Sequence, residues 1–171
     1  MRLLLASAAS LALSASSVLA TSEEVVLSMI SFIEERSDYV YSGERLPFIE
    51  IREPAEIYVG LMGEPMPEDE SIFPAGYFDH NMNTIYISSE PGPYMVEEGF
   101  IEVVLFHELV HYLQLINGTY ETVECQNALE RDAYKLQAEY VDAMSYPEEQ
   151  KPDAFFAAIV SMCNQEMWDA P

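Results

Sequence analysis

The sequence is poor in basic residues. Only seven of its 171 residues are Lys or Arg, against 30 that are Asp or Glu, so the formal net charge at pH 7 is −23. A charge of this size and sign repels the phosphates of nucleic acids and anionic membrane surfaces, and it favours solubility, cationic ligands and metal ions. We therefore expect no nucleic acid among the partners of this protein.

Long apolar runs are missing after the first 20 residues. The run at the start follows Arg2, is rich in Leu, Ala and Ser, and ends in small residues suited to signal-peptide cleavage at Val18-Leu19-Ala20. It is shorter than a membrane anchor needs and is followed by acidic residues instead of a positive flank. We predict a signal peptide over residues 1–20 and a secreted or periplasmic protein that does not insert into the membrane.

Cysteine and histidine are also scarce, with two and three residues respectively. In an oxidising compartment, an even pair of cysteines far apart in sequence forms a disulfide more often than it binds a metal or reacts as free thiols. We predict one disulfide between Cys125 and Cys163, which would tie the end of the chain to its middle.

The apolar pattern predicts one α+β domain over residues 21–171, with helices gathered towards its end. Apolar residues at helical spacing, alternating runs, and turns rich in Gly and Pro mark the elements. The expected helices span residues 23–36, 95–116, 122–144 and 154–162, a hairpin joins strands 77–79 and 84–88, and residues 46–51 and 57–61 form two strands or a strand and a helical turn.

Two of the three histidines, His107 and His111, stand four residues apart in the predicted helix 95–116. That spacing places both imidazoles on one face of the helix, one turn apart, where they can bind a single Zn²⁺ ion. Glu108 is then beside the ion and can take a proton from a zinc-bound water and pass it to a leaving group. The motif predicts a zinc-dependent hydrolase. The alternative is that these side chains form hydrogen bonds with neighbouring helices.

A catalytic zinc needs a third protein ligand and an open position. On the helical wheel of residues 122–144, Glu130 points about 55° from the centre of the apolar face, and the other acids point about 105° or more away. We predict Glu130 as the third ligand. The alternative is an acid at the edge of the apolar face that pairs with Arg131 or Lys135.

A peptidase also needs an electrophile that stabilises the oxyanion. Tyr134 is one turn from Glu130 on nearly the same face and is the first candidate. Tyr112, Tyr120 and His80 are the other candidates. Tyrosine is frequent in this chain, and most tyrosines pack in the core or on the surface and do not act in catalysis.

The histidine pair, the inward acid in the setting Glu130-Arg131-Asp132-Ala133, and the preceding hairpin resemble the compact gluzincin-type zinc peptidases, particularly the ImmA-like group. The resemblance covers roughly residues 76–141. It implies a zincin-like minimal metallopeptidase domain, with a small mixed or antiparallel sheet, an active-site helix and C-terminal helices. It also implies one Zn²⁺ ion bound by His107, His111 and Glu130, with Glu108 as the catalytic base.

The same resemblance implies where a peptide or protein substrate binds. The strand formed by Thr84, Ile85, Tyr86, Ile87 and Ser88 would border the cleft, and an extended peptide would add to it as a further strand. Two features differ from related groups. The known regulators of the ImmA-like group work inside cells, so their substrates do not carry over, and the glycine and third histidine that follow the motif in metzincins are replaced here by Gln114 and Asn117-Gly118.

Two other functions fit parts of the pattern. A di-iron carboxylate site would also use Glu108 and His111, but it needs a second histidine with a glutamate three residues before it, and the sequence has none. A secreted module that keeps the zincin scaffold and binds or inhibits a partner without catalysis is the stronger alternative, although the intact Glu108 argues against it.

Overall fold

The computed structural model describes residues 23–68, 73–92 and 95–163. The predicted signal peptide lies outside these residues. The five α-helices there are α1 Glu23–Glu34, α2 Pro54–Met62, α3 Phe100–Ile116, α4 Glu130–Met144 and α5 Ala154–Val160, and the strands are β1 Phe48–Arg52, β2 Gly76–Asp79 and β3 Thr84–Ser88. Within the described ranges, no helix has the length and apolar character needed to cross a membrane.

The three strands form a mixed sheet in the order β1-β3-β2. β3 pairs with β2 in the antiparallel sense, as the predicted hairpin requires, and with β1 in the parallel sense. Of the two possibilities for residues 46–61, the strand followed by a helix is correct. The predicted α+β class and small mixed sheet are therefore confirmed for the described part of the chain.

Helices cover both faces of the sheet. On one face, a Cβ atom at Gly76 would lie 2.7 Å from the side chain of Val104, so only glycine lets β2 approach α3 this closely. On the other face, Tyr77 and Tyr86 stack with ring centroids 5.0 Å apart, and the Tyr77 ring lies against Gly60 of α2. The sheet is thus held between α2 and α3.

The hydrophobic core lies along α3. Phe106 of this helix packs edge-on against Phe32 of α1 and stacks on Tyr140 of α4, with ring centroids 5.6 and 4.1 Å away. Ile85 and Ile87 of β3 are fully buried against the same core. Because α1, α4 and the sheet surround it, nearly every residue from Val103 to Gln114 is buried, including the motif.

Two helices begin later than the sequence pattern predicts. α3 begins at Phe100 instead of residue 95, because Gly99 has a φ of +77°, which a helix cannot continue through. α4 begins at Glu130 instead of residue 122, because residues 119–121 and 126–129 form separate 3₁₀ turns. Glu130 is therefore the first residue of α4 and not a residue of its second turn.

The predicted disulfide between Cys125 and Cys163 is confirmed, with the two Cα atoms 5.6 Å apart. It joins the segment between α3 and α4 to the residues that follow α5. No residue of α5 is buried. Besides the disulfide, the side-chain amide of Asn127 donates to the carbonyl of Met162 at 3.3 Å. Phe156 of α5 also packs edge-on against Tyr134 of α4, so the disulfide and these contacts together hold α5 in place.

Removing this disulfide is expected to lower the free energy of unfolding by about 2–4 kcal/mol, since the bond closes a long loop and limits the unfolded chain. Urea unfolding of the protein and of its Cys125→Ser/Cys163→Ser variant measures the difference. A reducing agent should shift the midpoint of the parent to that of the variant and leave the variant unchanged. Equal midpoints for parent and variant would contradict the prediction.

Candidate metal site

The structure brings together three side chains that the sequence predicts as ligands. The ligating atoms of His107, His111 and Glu130 all lie within 4.8 Å of one another. The two Nε2 atoms are 3.1 Å apart, and the Glu130 carboxylate oxygens lie 3.2 and 3.3 Å from them. One carboxylate thus faces both imidazoles at once.

Local structure explains this convergence. His107 and His111 project from the same side of α3, which packs along α4, and each is only 9% exposed. Leu129 and Ala133 are buried on the inner face of the chain at the start of α4. Glu130 lies between them in sequence and points across the gap towards α3. It is partly exposed to solvent.

The far nitrogen of each imidazole contacts a glutamine. His107 Nδ1 is 2.9 Å from Gln137 Oε1, and His111 Nδ1 is 2.8 Å from Gln114 Oε1. An amide oxygen only accepts hydrogen bonds, so each Nδ1 carries the proton and donates it. In a neutral imidazole the lone pair is then on Nε2, the atom that faces Glu130.

This arrangement fits a metal cation. Two Nε2 lone pairs and a carboxylate converge, and with both imidazoles neutral no hydrogen lies between these three acceptors. Such a group requires a positive charge at its centre. Two imidazole nitrogens and one carboxylate also form a ligand set that catalytic metal sites use, with room for a further ligand.

The electrostatics of the metal-free cluster lead to the same conclusion. Burial alone would lower the pKa of His111, but the hydrogen bond and charge of Glu130 outweigh it and raise that pKa to about 9. Burial would raise the pKa of Glu130, yet the hydrogen bonds with His107 and His111 hold it well below its usual range. Glu130 is therefore an anion near neutral pH, and a proton on His111 or a metal ion balances its charge.

Glu108 is buried beside the cluster without being one of the converging ligands. Burial raises the pKa of its carboxyl, an effect that the neighbouring His107 and His111 partly offset. The backbone N–H of Phe78 in β2 faces the carboxylate and partly offsets the rise in its pKa. A buried carboxyl with a raised pKa next to a metal site is suited to accept and release a proton.

The candidates for an oxyanion stabiliser separate into two groups. Tyr134 lies beside His107, with ring centroids 4.7 Å apart. Burial raises the pKa of Tyr120 to about 12, and the nearby charges of Glu108 and Glu130 contribute to this rise. Tyr112 instead donates to the carbonyl of Arg45 at 3.2 Å, on another side of α3, and is not a candidate. His80 is exposed on the hairpin turn, 6.5 Å from the Tyr120 ring.

The predicted substrate strand needs correction. β3, with Thr84, Ile85, Tyr86 and Ile87, is the central strand and is hydrogen-bonded on both sides, so it has no free edge for a peptide. The free edge near the site belongs to β2. The backbone N–H of Ser88 donates to the carbonyl of Ala75 at 2.8 Å. Because hydrogen-bonded pairs alternate along an antiparallel ladder, the N–H and C=O groups of Gly76 and Phe78 turn away from β3. The N–H of Phe78 faces the carboxylate of Glu108.

The sequence prediction missed Gln114 and Gln137. Both are buried: Gln114 follows His111 by one turn on the face of α3 that carries the histidine pair, and Gln137 follows Glu130 by two turns on α4. A buried glutamine needs hydrogen-bond partners, so the spacing of Gln114 from His111 was a usable signal in the sequence.

Comparison with known proteins adds a family. The family described as Domain of unknown function (DUF6647) matches residues 19–165 of the chain. No curated protein and no solved structure matches it.

Proposed function

The chain belongs to the DUF6647 family, whose description states no activity, and we propose from its site that it is a zinc-dependent metallohydrolase that hydrolyses amide bonds, as a peptidase does. The observation that carries the proposal is the convergence of His107, His111 and Glu130 with the buried carboxyl of Glu108 beside them. A structural ion pair would need no second buried acid next to the first, whereas hydrolysis needs a proton acceptor there.

The roles of the residues follow from their positions. His107, His111 and Glu130 would hold the zinc, which when bound lowers the pKa of water and polarises the scissile carbonyl. Glu108 takes the proton of the attacking water and gives it to the leaving amine, which its raised pKa favours. Tyr134, beside His107, is placed to donate its hydroxyl hydrogen towards the developing oxyanion.

A peptide substrate would pair with β2 instead of β3. The outward N–H and C=O groups of Gly76 and the outward C=O of Phe78 offer a strand edge. A Cβ atom at Gly76 would lie 3.6 Å from Glu108 Oε1, so this edge is next to the proposed catalytic carboxyl. An extended chain along β2 would thus carry its amide bonds past the site.

The overall arrangement supports a zincin-like domain. A small mixed sheet packs on the helix that carries the histidine pair, and α4, from the C-terminal part of the chain, brings the third acid to the other side of that helix. The predicted export and the disulfide make the exterior of the cell or the periplasm the place of action, with peptides or proteins as substrates.

Metal removal tests the proposal. The purified zinc-loaded protein is incubated with a denatured protein substrate that fluoresces on cleavage, with and without 1,10-phenanthroline. We expect the chelator to lower the hydrolysis rate by at least about 100-fold, because the zinc contributes several kcal/mol to the transition state. Adding zinc back should restore the rate, and the non-chelating isomer 1,7-phenanthroline should have no effect.

Two results would contradict the proposal in different ways. A protein that binds one zinc per chain and cleaves nothing would refute the peptidase and support the non-catalytic binding module. A protein that binds no zinc, with hydrolysis absent or unaffected by the chelator, would refute the metal site itself.

A further inference from the structure

We propose that Gln114 and Gln137 are positioning residues that fix the proton on the outer nitrogen of each histidine ligand, and that Gln114 also joins the second histidine to the helix that carries Glu130. The inference rests on the proposed zinc site. It concerns how the apoprotein prepares that site, and its test measures zinc binding separately from hydrolysis.

The orientation of both amides follows from their second contacts. Gln114 Nε2 is 2.9 Å from the carbonyl oxygen of Leu129, and Gln137 Nε2 is 3.2 Å from that of Gln150. A carbonyl oxygen accepts and never donates, so the NH₂ end of each amide must face it. The Oε1 end is then left for the imidazole. Neither amide can flip without losing its contacts with both the histidine and the carbonyl, so each Nδ1 keeps its proton and Nε2 is the nitrogen that binds a metal. Gln114 Nε2 also lies 3.3 Å from the Tyr39 hydroxyl.

Gln114 reaches the third ligand through the backbone. The carbonyl that it binds belongs to Leu129, the residue directly before Glu130. One side chain, fully buried, therefore contacts His111 at one end and the start of α4 at the other. It sets the separation of the two ligands across the gap between α3 and α4.

Gln137 has no comparable link to a ligand. Its NH₂ group binds the carbonyl of Gln150, whose own side chain donates to the carbonyls of Val96 and Glu98 before α3. These contacts join Gln137 to the segment before α3 and hold its side-chain oxygen within hydrogen-bond distance of His107. The two glutamines thus orient their histidines in the same way, but only Gln114 also positions Glu130.

Both acceptors are neutral. A carboxylate in either place would increase the basicity of the imidazole and strengthen its bond to the metal. An amide orients the ring without adding negative charge beside the buried Glu108, whose pKa the charge of Glu130 already helps to raise.

Four variants separate the two roles. Leucine at position 114 or 137 removes the contacts with the histidine and the backbone carbonyl, and at position 114 also the contact with the Tyr39 hydroxyl. Glutamate keeps the acceptor for the histidine but loses the donor to the backbone. We measure zinc affinity by competition with a chromophoric chelator, and the Nδ1–H signals of both histidines in the zinc-loaded protein by ¹⁵N-resolved NMR.

We expect Gln114→Leu and Gln137→Leu to weaken zinc binding about 10–100-fold, the cost of losing a partner that orients a ligand. The corresponding Nδ1–H signal should exchange faster with solvent. Gln137→Glu should bind zinc at least as tightly as the parent, because the acceptor for His107 is kept and its charge strengthens the bond to the metal. Gln114→Glu should bind zinc more weakly than Gln137→Glu, because it also loses the link to Leu129.

The outcomes distinguish this inference from the proposed function. If the parent binds zinc and both leucine variants bind it equally well, the positioning role is wrong and the zinc site stands. If Gln114→Glu binds zinc as tightly as Gln137→Glu, the link from Gln114 to the start of α4 plays no part in positioning Glu130. If the parent binds no zinc, both proposals fall. Urea unfolding of the metal-free variants shows whether a loss of affinity exceeds the loss of stability.

Discussion

Replacing Glu108 with glutamine is expected to lower the rate of peptide hydrolysis by about 10²–10⁴-fold while the zinc stays bound. The substitution removes the group that accepts the proton of the attacking water. It does not touch the converging ligands, since Glu108 is not one of the atoms that meet at the site. Metal analysis and the hydrolysis rate of the zinc-loaded variant check the two halves of the prediction.

The glutamine should be accommodated without loss of structure. Glu108 is buried, and glutamine has the same length and nearly the same volume. Its amide oxygen can take the place of the carboxylate oxygen that the backbone N–H of Phe78 faces. The thermal midpoint of the variant is therefore expected within a few degrees of the parent, so a lost activity would be chemical in origin.

Glu102→Gln is the matched control. Glu102 lies on the same helix as Glu108 and is exposed. Its substitution by glutamine removes one carboxylate, as Glu108→Gln does. Its variant should hydrolyse at the rate of the parent. If Glu108→Gln keeps both its zinc and its full rate, Glu108 is not the base, and the peptidase proposal loses the residue on which its chemistry depends.

The site was predictable where its geometry is local. The spacing of His107 and His111 alone places both rings on one face of a helix. Glu130 was also predictable, even though the predicted helix began eight residues too early, at residue 122 instead of residue 130. The direction of Glu130 was still predicted correctly, because the apolar face is defined mainly by later residues such as Ala133 and Leu136. These buried residues are in the same helix as Glu130.

The rest depends on contacts between distant segments. β3 is central because β1, more than 30 residues earlier, pairs with it in parallel, and no local pattern encodes that partner. The start of α3 depends on Gly99, which has a positive φ and, because the Tyr146 ring lies against its backbone, no room for a side chain. The carbonyls that orient the two glutamines belong to other segments of the chain, so the sequence does not predict the roles of these side chains in full. Local periodicity predicts which face of an element is buried, but not what covers it.

Replacing Glu130 with glutamine is expected to weaken zinc binding by more than about 100-fold, a larger loss than for a residue that only orients a ligand. The amide keeps the length of the side chain but brings no negative charge, and two neutral imidazoles hold a dication poorly by themselves. Competition with a chromophoric chelator measures the affinity. Glu124→Gln, an exposed acid of the preceding segment, is the control and should bind zinc as the parent does.

The pH dependence of the metal-free protein provides a second readout for Glu130. The pKa of His111 is raised to about 9 by its contact with Glu130, against about 6.5 in an unfolded chain. A raised pKa in the folded state adds stability that is complete below pH 6.5 and is lost as pH rises towards 9. The metal-free parent should therefore lose stability over this range more steeply than Glu130→Gln.

Saturating zinc should reverse the direction in which the stability of the parent changes with pH. The ion takes the place of the proton on His111, so the zinc-loaded parent should gain stability between pH 6.5 and 9, where fewer protons compete for the ligands. Glu130→Gln should respond weakly to zinc at every pH. If zinc leaves the pH profile of the parent unchanged, Glu130 and the two histidines form only an ion pair, and the hydrolase proposal fails together with its metal.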